Sequence, residues 1–220
     1  MIEYDMVIGT TAVNRSELHV QSFSSYVKFI GNAKVKWIIH INKVYEESVD
    51  DTIKTIVDLC EGRDIDLEFF VRDAGGSVEY FYEAVRVVCN EMLKHTTSYG
   101  YLWLEDDWEH RGDLDVESLI KEFPLGGSSY LQVAQRLNRD VQVSFNPGVW
   151  SPSFFESHFV KRINNPNPKQ KNPEKTVIPR DEERALNRLA NPLHHKPMFY
   201  DIGRPWQQQK NIHRTFQPKR

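Results

Sequence analysis

Glu105, Asp106 and Asp107 stand side by side at the end of the apolar run Tyr101-Leu-Trp-Leu. The run is short and aromatic-aliphatic, which predicts a buried strand. Adjacent like charges raise one another's cost of ionisation, so such a cluster needs a cation or several donors beside it. With no Cys or His next to them, these oxygens suit a hard cation, Mg²⁺ or Mn²⁺, that completes its shell with water and phosphate oxygens. A metal held there and bridging to a diphosphate stabilises charge growing on a departing phosphate oxygen. The plain alternative is a strand that runs out into a solvated acidic turn.

Convergence on one ligand requires that other polar groups arrive at the same place. Along residues 1–110, strand and helix signals alternate. Met6-Val-Ile-Gly9 is a short buried strand opening into Thr10-Thr-Ala-Val-Asn-Arg15. Ser16 is placed to cap a helix with Phe23, Tyr26, Val27 and Ile30 on its apolar face. Val35 to Ile41 is the second strand, ending at Asn42. Ser48 caps the next helix, which buries Val49, Ile53, Ile56, Val57 and Cys60 and stops at Gly62. Ile65 to Val71 is the third strand; Phe81, Val85, Val88 and Met92 mark the third helix; the fourth strand ends in the carboxylates. Strands joined by such helices imply an α/β fold, a mostly parallel central sheet flanked by helices, in a single domain. Ligands bind beyond the C-terminal strand ends of such sheets. Thr10, Thr11, Asn42, Asp73 and Glu105 to Asp107 all fall there.

Beyond residue 110 the pattern is less regular. It predicts a helix over 113–123, strands over 130–134 and 141–145, and a turn at Asn146-Pro-Gly148. A helix over 153–163, an exposed mobile loop over 164–175, a charged helix over 181–189 and a last strand over 198–202 follow.

At 220 residues the chain is long enough for a full core, and 40% hydrophobic with 27% charged residues is ordinary for a globular protein. No apolar run approaches the ~20 residues needed to span a bilayer. Glu3 and Asp5 interrupt any secretory pattern at the start, so a cytoplasmic location is expected. Cys60 and Cys89 read as small core residues rather than a disulfide. The net charge of -3 hides an asymmetry: residues 1–160 carry 14 Lys/Arg against 26 Asp/Glu, residues 161–220 carry 14 against 5. An acidic body with a basic last quarter suits a metal in one part and a polyanion in the other. The chain ends in a basic stretch, as a catalytic domain cut from a longer polypeptide would.

Neither GxxxxGK[ST] nor GxGxxG follows the first strand, which sets aside kinase and dinucleotide readings. In order along the chain stand Val7-Ile-Gly-Thr-Thr-Ala-Val-Asn14-Arg15, Trp37-Ile-Ile-His-Ile-Asn42 with Glu47-Ser-Val-Asp-Asp-Thr52, Leu102-Trp-Leu-Glu-Asp-Asp107, Asn146-Pro-Gly-Val-Trp-Ser151 and Asp181-Glu-Glu-Arg184. Together these resemble nucleotide-sugar glycosyltransferases of the GT-A fold, family 2 type, with a Glu-Asp-Asp form of the DxD motif. The resemblance implies a nucleotide-binding half over 1–110 and an acceptor-side half over 111–220. It implies a metal-dependent transfer, with Mn²⁺ ahead of Mg²⁺, from a nucleoside-diphosphate sugar, UDP-linked by first choice. The acceptor would be a hydroxyl of a glycan or glycoprotein, with no nucleic-acid partner.

Carried over by position, the resemblance makes Asp107 the direct metal ligand. Glu105 is a second metal-side group, and Glu105 and Asp106 contact ribose, sugar or metal-bound water. Thr10, Thr11 and Arg15 line the nucleotide, while Asn42 stands where the family usually has a base-reading Asp. Asp73 approaches base or ribose, Arg86 reaches phosphate or sugar, and Trp108 and Trp150 offer rings to a sugar face. His213 is a late metal or phosphate contact, ahead of His194 and His195, near the cationic Arg204 and Lys210 and Trp206. An inverting reaction needs a base, for which Asp181, Glu182 and Glu183 are candidates; a retaining one does not. His40, within an apolar strand, reads as a core histidine. The competing readings are a sugar-phosphate nucleotidyltransferase, a metal-dependent phosphohydrolase or nuclease, and a non-catalytic carbohydrate- or nucleotide-binding module.

Overall fold

A computed structural model describes residues 2–73, 78–127, 129–134, 147–164 and 191–203, with backbone alone for 78–82, 132, 134, 162 and 191–197. The helices α1 (Ser16–Ile30), α2 (Val49–Cys60) and α3 (Val78–Met92) alternate with the strands β1 (Glu3–Val13), β2 (Val35–Lys43), β3 (Ile65–Asp73) and β4 (Thr96–Glu105). After β4 come β5 (Trp108–His110), α4 (Val116–Glu122), β6 (Ser129–Ala134) and β7 (Gly148–Trp150). The continuous helical segment α5 (Pro152–Phe154), π-helix Phe155–Val160 and α6 (Lys161–Asn164) leads on toward β8 (Asn191–Asp201). Among the described residues no helix is long and apolar enough to cross a membrane.

The strands form one eight-stranded sheet in the order β3-β2-β1-β4-β7-β6-β8-β5. The first four are mutually parallel, as the βαβ alternation predicts. β7 runs antiparallel to β4 and β6, and β5 antiparallel to β8. The α/β class, the mostly parallel sheet and the single-domain organisation expected from the sequence therefore hold.

Side chains alternate across the sheet and build two cores. On one face Ile8, Trp37, Ile39, Ile41, Leu102 and Leu104 pack under α1 and α2 with Phe23, Tyr26 and Ile56. On the other, Val7, Ile38, Tyr101 and Trp103 meet α3 through Val85, Val88, Cys89 and Met92. Gly9 lets α3 approach: a Cβ there would stand 2.7 Å from Val88 Cγ1. Both cysteines are buried and free.

Ser48 caps α2 as expected, its hydroxyl accepting the Asp51 N–H at 3.4 Å. Gly62 follows that helix with a left-handed φ of 75°. Ser16 does not cap α1. It is the first helical residue, and its N–H and hydroxyl both donate to Glu47 Oε2 at 2.8 Å. The helix expected over 113–123 is shorter, because Asp115 caps it by accepting the Ser118 N–H at 2.8 Å. Gly148 opens a strand rather than closing a turn. The strand over 141–145, most of the loop over 164–175 and the helix over 181–189 lie outside the described residues.

Candidate active site

The three carboxylates leave β4 and meet three different environments. Asp106 turns inward and is 6% exposed. Arg15, just before α1, donates Nη2–H to Asp106 Oδ1 at 2.7 Å and Nε–H to Oδ2 at 3.2 Å. The Val13 N–H donates to the same carboxylate at 3.0 Å, and His19 Nε2 lies 3.1 Å from it. Burial alone would raise the Asp106 pKa, but the Arg15 charge and the His19 contact hold it well below the usual carboxylate range. Arg15, 4% exposed, is held charged by Asp106 and Asp107 against the same burial.

Glu105 is half-buried and accepts the Trp108 Nε1–H at 2.9 Å. Burial, then the charge of Asp107, push its pKa up to about 8, so it keeps its proton at neutral pH. Trp108 is thereby a brace for Glu105, buried to 6%. The Tyr26 hydroxyl lies 2.5 Å from the Glu105 carbonyl and 2.8 Å from that of Trp108, spanning the triplet from α1.

Asp107 is the member turned to solvent, its side chain 20% exposed and its Oδ2 3.9 Å from Arg15 Nη2. The end of β8 sets its backbone: Ile202 N–H and Gly203 N–H donate to the Asp107 carbonyl at 2.8 and 3.1 Å. Gly203 also lies so close that a Cβ there would stand 2.6 Å from the Asp107 Cβ. Asp201 Oδ1 accepts the Gly203 N–H at 3.0 Å, and its charge adds to the field on Glu105. Asp107 and Glu105 offer oxygen donors, the ligand type that a hard divalent cation takes.

The adjoining strand ends carry a second feature. On the α3 face of the sheet, Thr11 and His40 are register partners, and Asn42 follows two residues along β2. All three are buried, at 4%, 4% and 2% exposure. Among the described residues, Thr11 Oγ1, His40 Nδ1 and Asn42 Oδ1 nevertheless have no hydrogen-bond partner. Buried polar atoms are nearly always paired, because each orphan costs about 1–3 kcal/mol. These three lie on one face of the sheet at adjoining strand ends. Burial, then the charge of Arg72, lower the His40 pKa to about 4; His40 is buried as the sequence predicts, but its Nδ1 is unsatisfied.

The remaining sequence candidates separate. Thr10 faces the opposite core, where its hydroxyl accepts the Trp37 Nε1–H at 2.9 Å. Arg15 lies under the triplet rather than on an open nucleotide surface. Asp73 ends β3 and Arg86 lies on α3, both exposed. Trp150 offers no face to a sugar: it is fully buried, with ring centroids 5.9, 5.5 and 4.2 Å from Tyr130, Phe155 and Phe159. Asp181, Glu182, Glu183, Arg204, Trp206, Lys210 and His213 lie outside the described residues, as do the side chains of His194 and His195.

The structure adds residues that the sequence reading passed over. Asn14, fully buried, spends its whole amide on the loop after β2. Its Nδ2 donates to the Tyr45 and Glu47 carbonyls at 2.7 and 2.6 Å, and its Oδ1 accepts from the Val44 and Tyr45 N–H groups at 2.7 and 2.9 Å. His19 falls four residues after Arg15, one helical turn on, a spacing that was readable. Gly203 left no such signal.

No protein-family model and no curated protein matches the chain. Among solved structures it is similar to the glycosyltransferase GlyE of Streptococcus pneumoniae TIGR4, with a TM-score of 0.54 and 12% identity over 94% of this chain and 57% of that one. The likeness is one of fold alone. The apo form of GlyE gives 0.52 and 11% over 89% and 54%. S. aureus TarS, residues 1–349, gives 0.50 and 13% over 90% and 60%. This chain thus spans little more than half the length of these structures. At such identities the GT-A-like fold is what is shared.

Two consequences are measurable in metal-free protein. Asp106→Asn leaves the Arg15 guanidinium buried without its counter-charge and should cost about 3–5 kcal/mol in denaturant unfolding. Asp107→Asn should cost less than about 1 kcal/mol, as at a partly exposed site. Equal losses in both would contradict the separate roles. His40 has a folded pKa below its unfolded value, so the unfolded chain binds more protons between pH 6.5 and about 4. Relative to His40→Gln, the parent protein should lose about 1.4 kcal/mol per pH unit as pH falls through that window. A pH-independent difference would show that His40 titrates normally.

Proposed function

We propose that the protein is a metal-dependent glycosyltransferase that moves a sugar from a nucleoside diphosphate, UDP by first choice, to a hydroxyl acceptor. One observation carries the reading. The solvent-facing Asp107 carboxylate and the unpartnered Thr11, His40 and Asn42 atoms occupy neighbouring strand ends of one sheet, in the fold of a glycosyltransferase. A diphosphate sugar needs both: charge neutralisation at its phosphates and polar contacts for its base.

In this reading Asp107 holds Mn²⁺ or Mg²⁺, with Glu105 beside it, and His213 is the sequence's candidate for a later ligand. The cation, when bound, offsets charge growing on the leaving diphosphate. Asp106 orients: fixed by Arg15, Val13 and His19, it sets where Asp107 points. Glu105, once ionised, is the carboxylate nearest to meet positive charge developing on the sugar ring. An acceptor amide oxygen at Asn42 suits the imide N–H of uracil, and His40 Nδ1–H and the Thr11 hydroxyl suit its carbonyl oxygens. Cytosine and adenine present an acceptor nitrogen and an amino group there instead. The base for an inverting reaction is assigned to the Asp181–Glu183 segment.

The test is turnover with a panel of UDP-, GDP-, CDP- and ADP-sugars, each with Mn²⁺ and with EDTA, following nucleoside diphosphate release. Metal-dependent release from UDP-sugars should fall about 10²–10³-fold in Asp107→Asn. Release that ignores EDTA and Asp107→Asn contradicts the proposal. Pyrophosphate release from a nucleoside triphosphate and a sugar phosphate would mark a nucleotidyltransferase instead.

A further inference from the structure

At the other end of the strands from the triplet, Glu68 on β3, Glu91 in the last turn of α3 and His95 in the turn before β4 converge. One ligand atom of each lies within 4.8 Å of the other two. His95 Nε2 is buried and has no hydrogen-bond partner among the described residues. It lies 3.7 Å from Glu68 Oε2. That is too long for a hydrogen bond. Zinc bonds of about 2.0–2.2 Å at tetrahedral angles set ligand atoms about 3.4 Å apart, close to the 3.7 Å between His95 Nε2 and Glu68 Oε2.

We propose that Glu68, Glu91 and His95 form a divalent-cation site, selective for Zn²⁺ over Mg²⁺, that fastens the edge strand β3 to the end of α3. One imidazole and two carboxylates, with water in the fourth place, are a borderline-soft donor set that Zn²⁺ takes more readily than Mg²⁺. The ring is already oriented, edge to face with Tyr4 at 6.0 Å, and the His95 carbonyl accepts the Tyr101 hydroxyl at 3.1 Å. The cations now beside the acids can yield. Lys94 meets Glu91 in an exposed pair, which water and salt weaken. Lys36, 3.0 Å from Glu68, keeps Asp66 at 3.2 Å when Glu68 turns. Side-chain exposures of 31% for Glu68, 15% for Glu91 and 22% for His95 leave the site open to a small ion. Nothing here depends on the glycosyl-transfer reading.

The test is calorimetric titration of EDTA-stripped full-length protein with ZnCl₂ and with MgCl₂, in an Asp107→Asn background that silences the strand-end site. One equivalent of Zn²⁺ should bind and raise the melting temperature, with Mg²⁺ giving no comparable signal. Adding Glu91→Gln or His95→Gln should each weaken zinc binding by about tenfold or more, with circular dichroism confirming that both variants fold. Zinc binding absent from Asp107→Asn, unchanged in either added variant, or matched by Mg²⁺ overturns the proposal.

Discussion

The buried pair between Arg15 and Asp106 is the interaction on which the strand-end surface depends. It joins the end of β1, the start of α1 and the end of β4 through a fork at 2.7 and 3.2 Å. Removing either charge would strand the other in a low-dielectric interior, so the two hold their places together. With the Val13 N–H and His19 added, Asp106 has little freedom left. Its neighbours inherit that rigidity: Asp107 can only leave the strand end in one direction.

Three adjacent acids of similar chemistry therefore end with three electrostatic states. Asp106 is an internal anion, Glu105 a protonated group beside Trp108, and Asp107 the carboxylate presented outward. The far end of the chain completes the arrangement, since the β8 backbone at Ile202 and Gly203 fixes the Asp107 carbonyl. A site that looks local in sequence is held between the first strand and the last.

The sheet was legible because its cause is local. Period-two apolar runs, helix caps such as Ser48 and stops such as Gly62 act within a few residues. The parallel topology carries Thr11, Asn42 and the triplet to the C-terminal strand ends, where the sequence puts them. What the sequence could not show depends on long-range partners. Arg15 read as a residue lining the nucleotide because its counter-charge lies 91 residues away. Ser16 read as a cap because the Glu47 carboxylate that takes its N–H comes from the loop after β2. Trp150 read as a sugar platform beside a turn, yet Tyr130, Phe155 and Phe159 cover its ring. Gly203 carries no side-chain signal; its part emerges only where the Asp107 carboxylate packs against it.

A crystal structure of the protein with UDP and Mn²⁺, using anomalous scattering to find the ion, tests the division of roles most directly. The ion should lie about 2.0–2.2 Å from an Asp107 carboxylate oxygen, with Asp106 still on Arg15 and the uracil ring against Thr11, His40 and Asn42. An ion bound by Asp106, with Arg15 displaced, or a nucleotide lying away from those strand ends would contradict it.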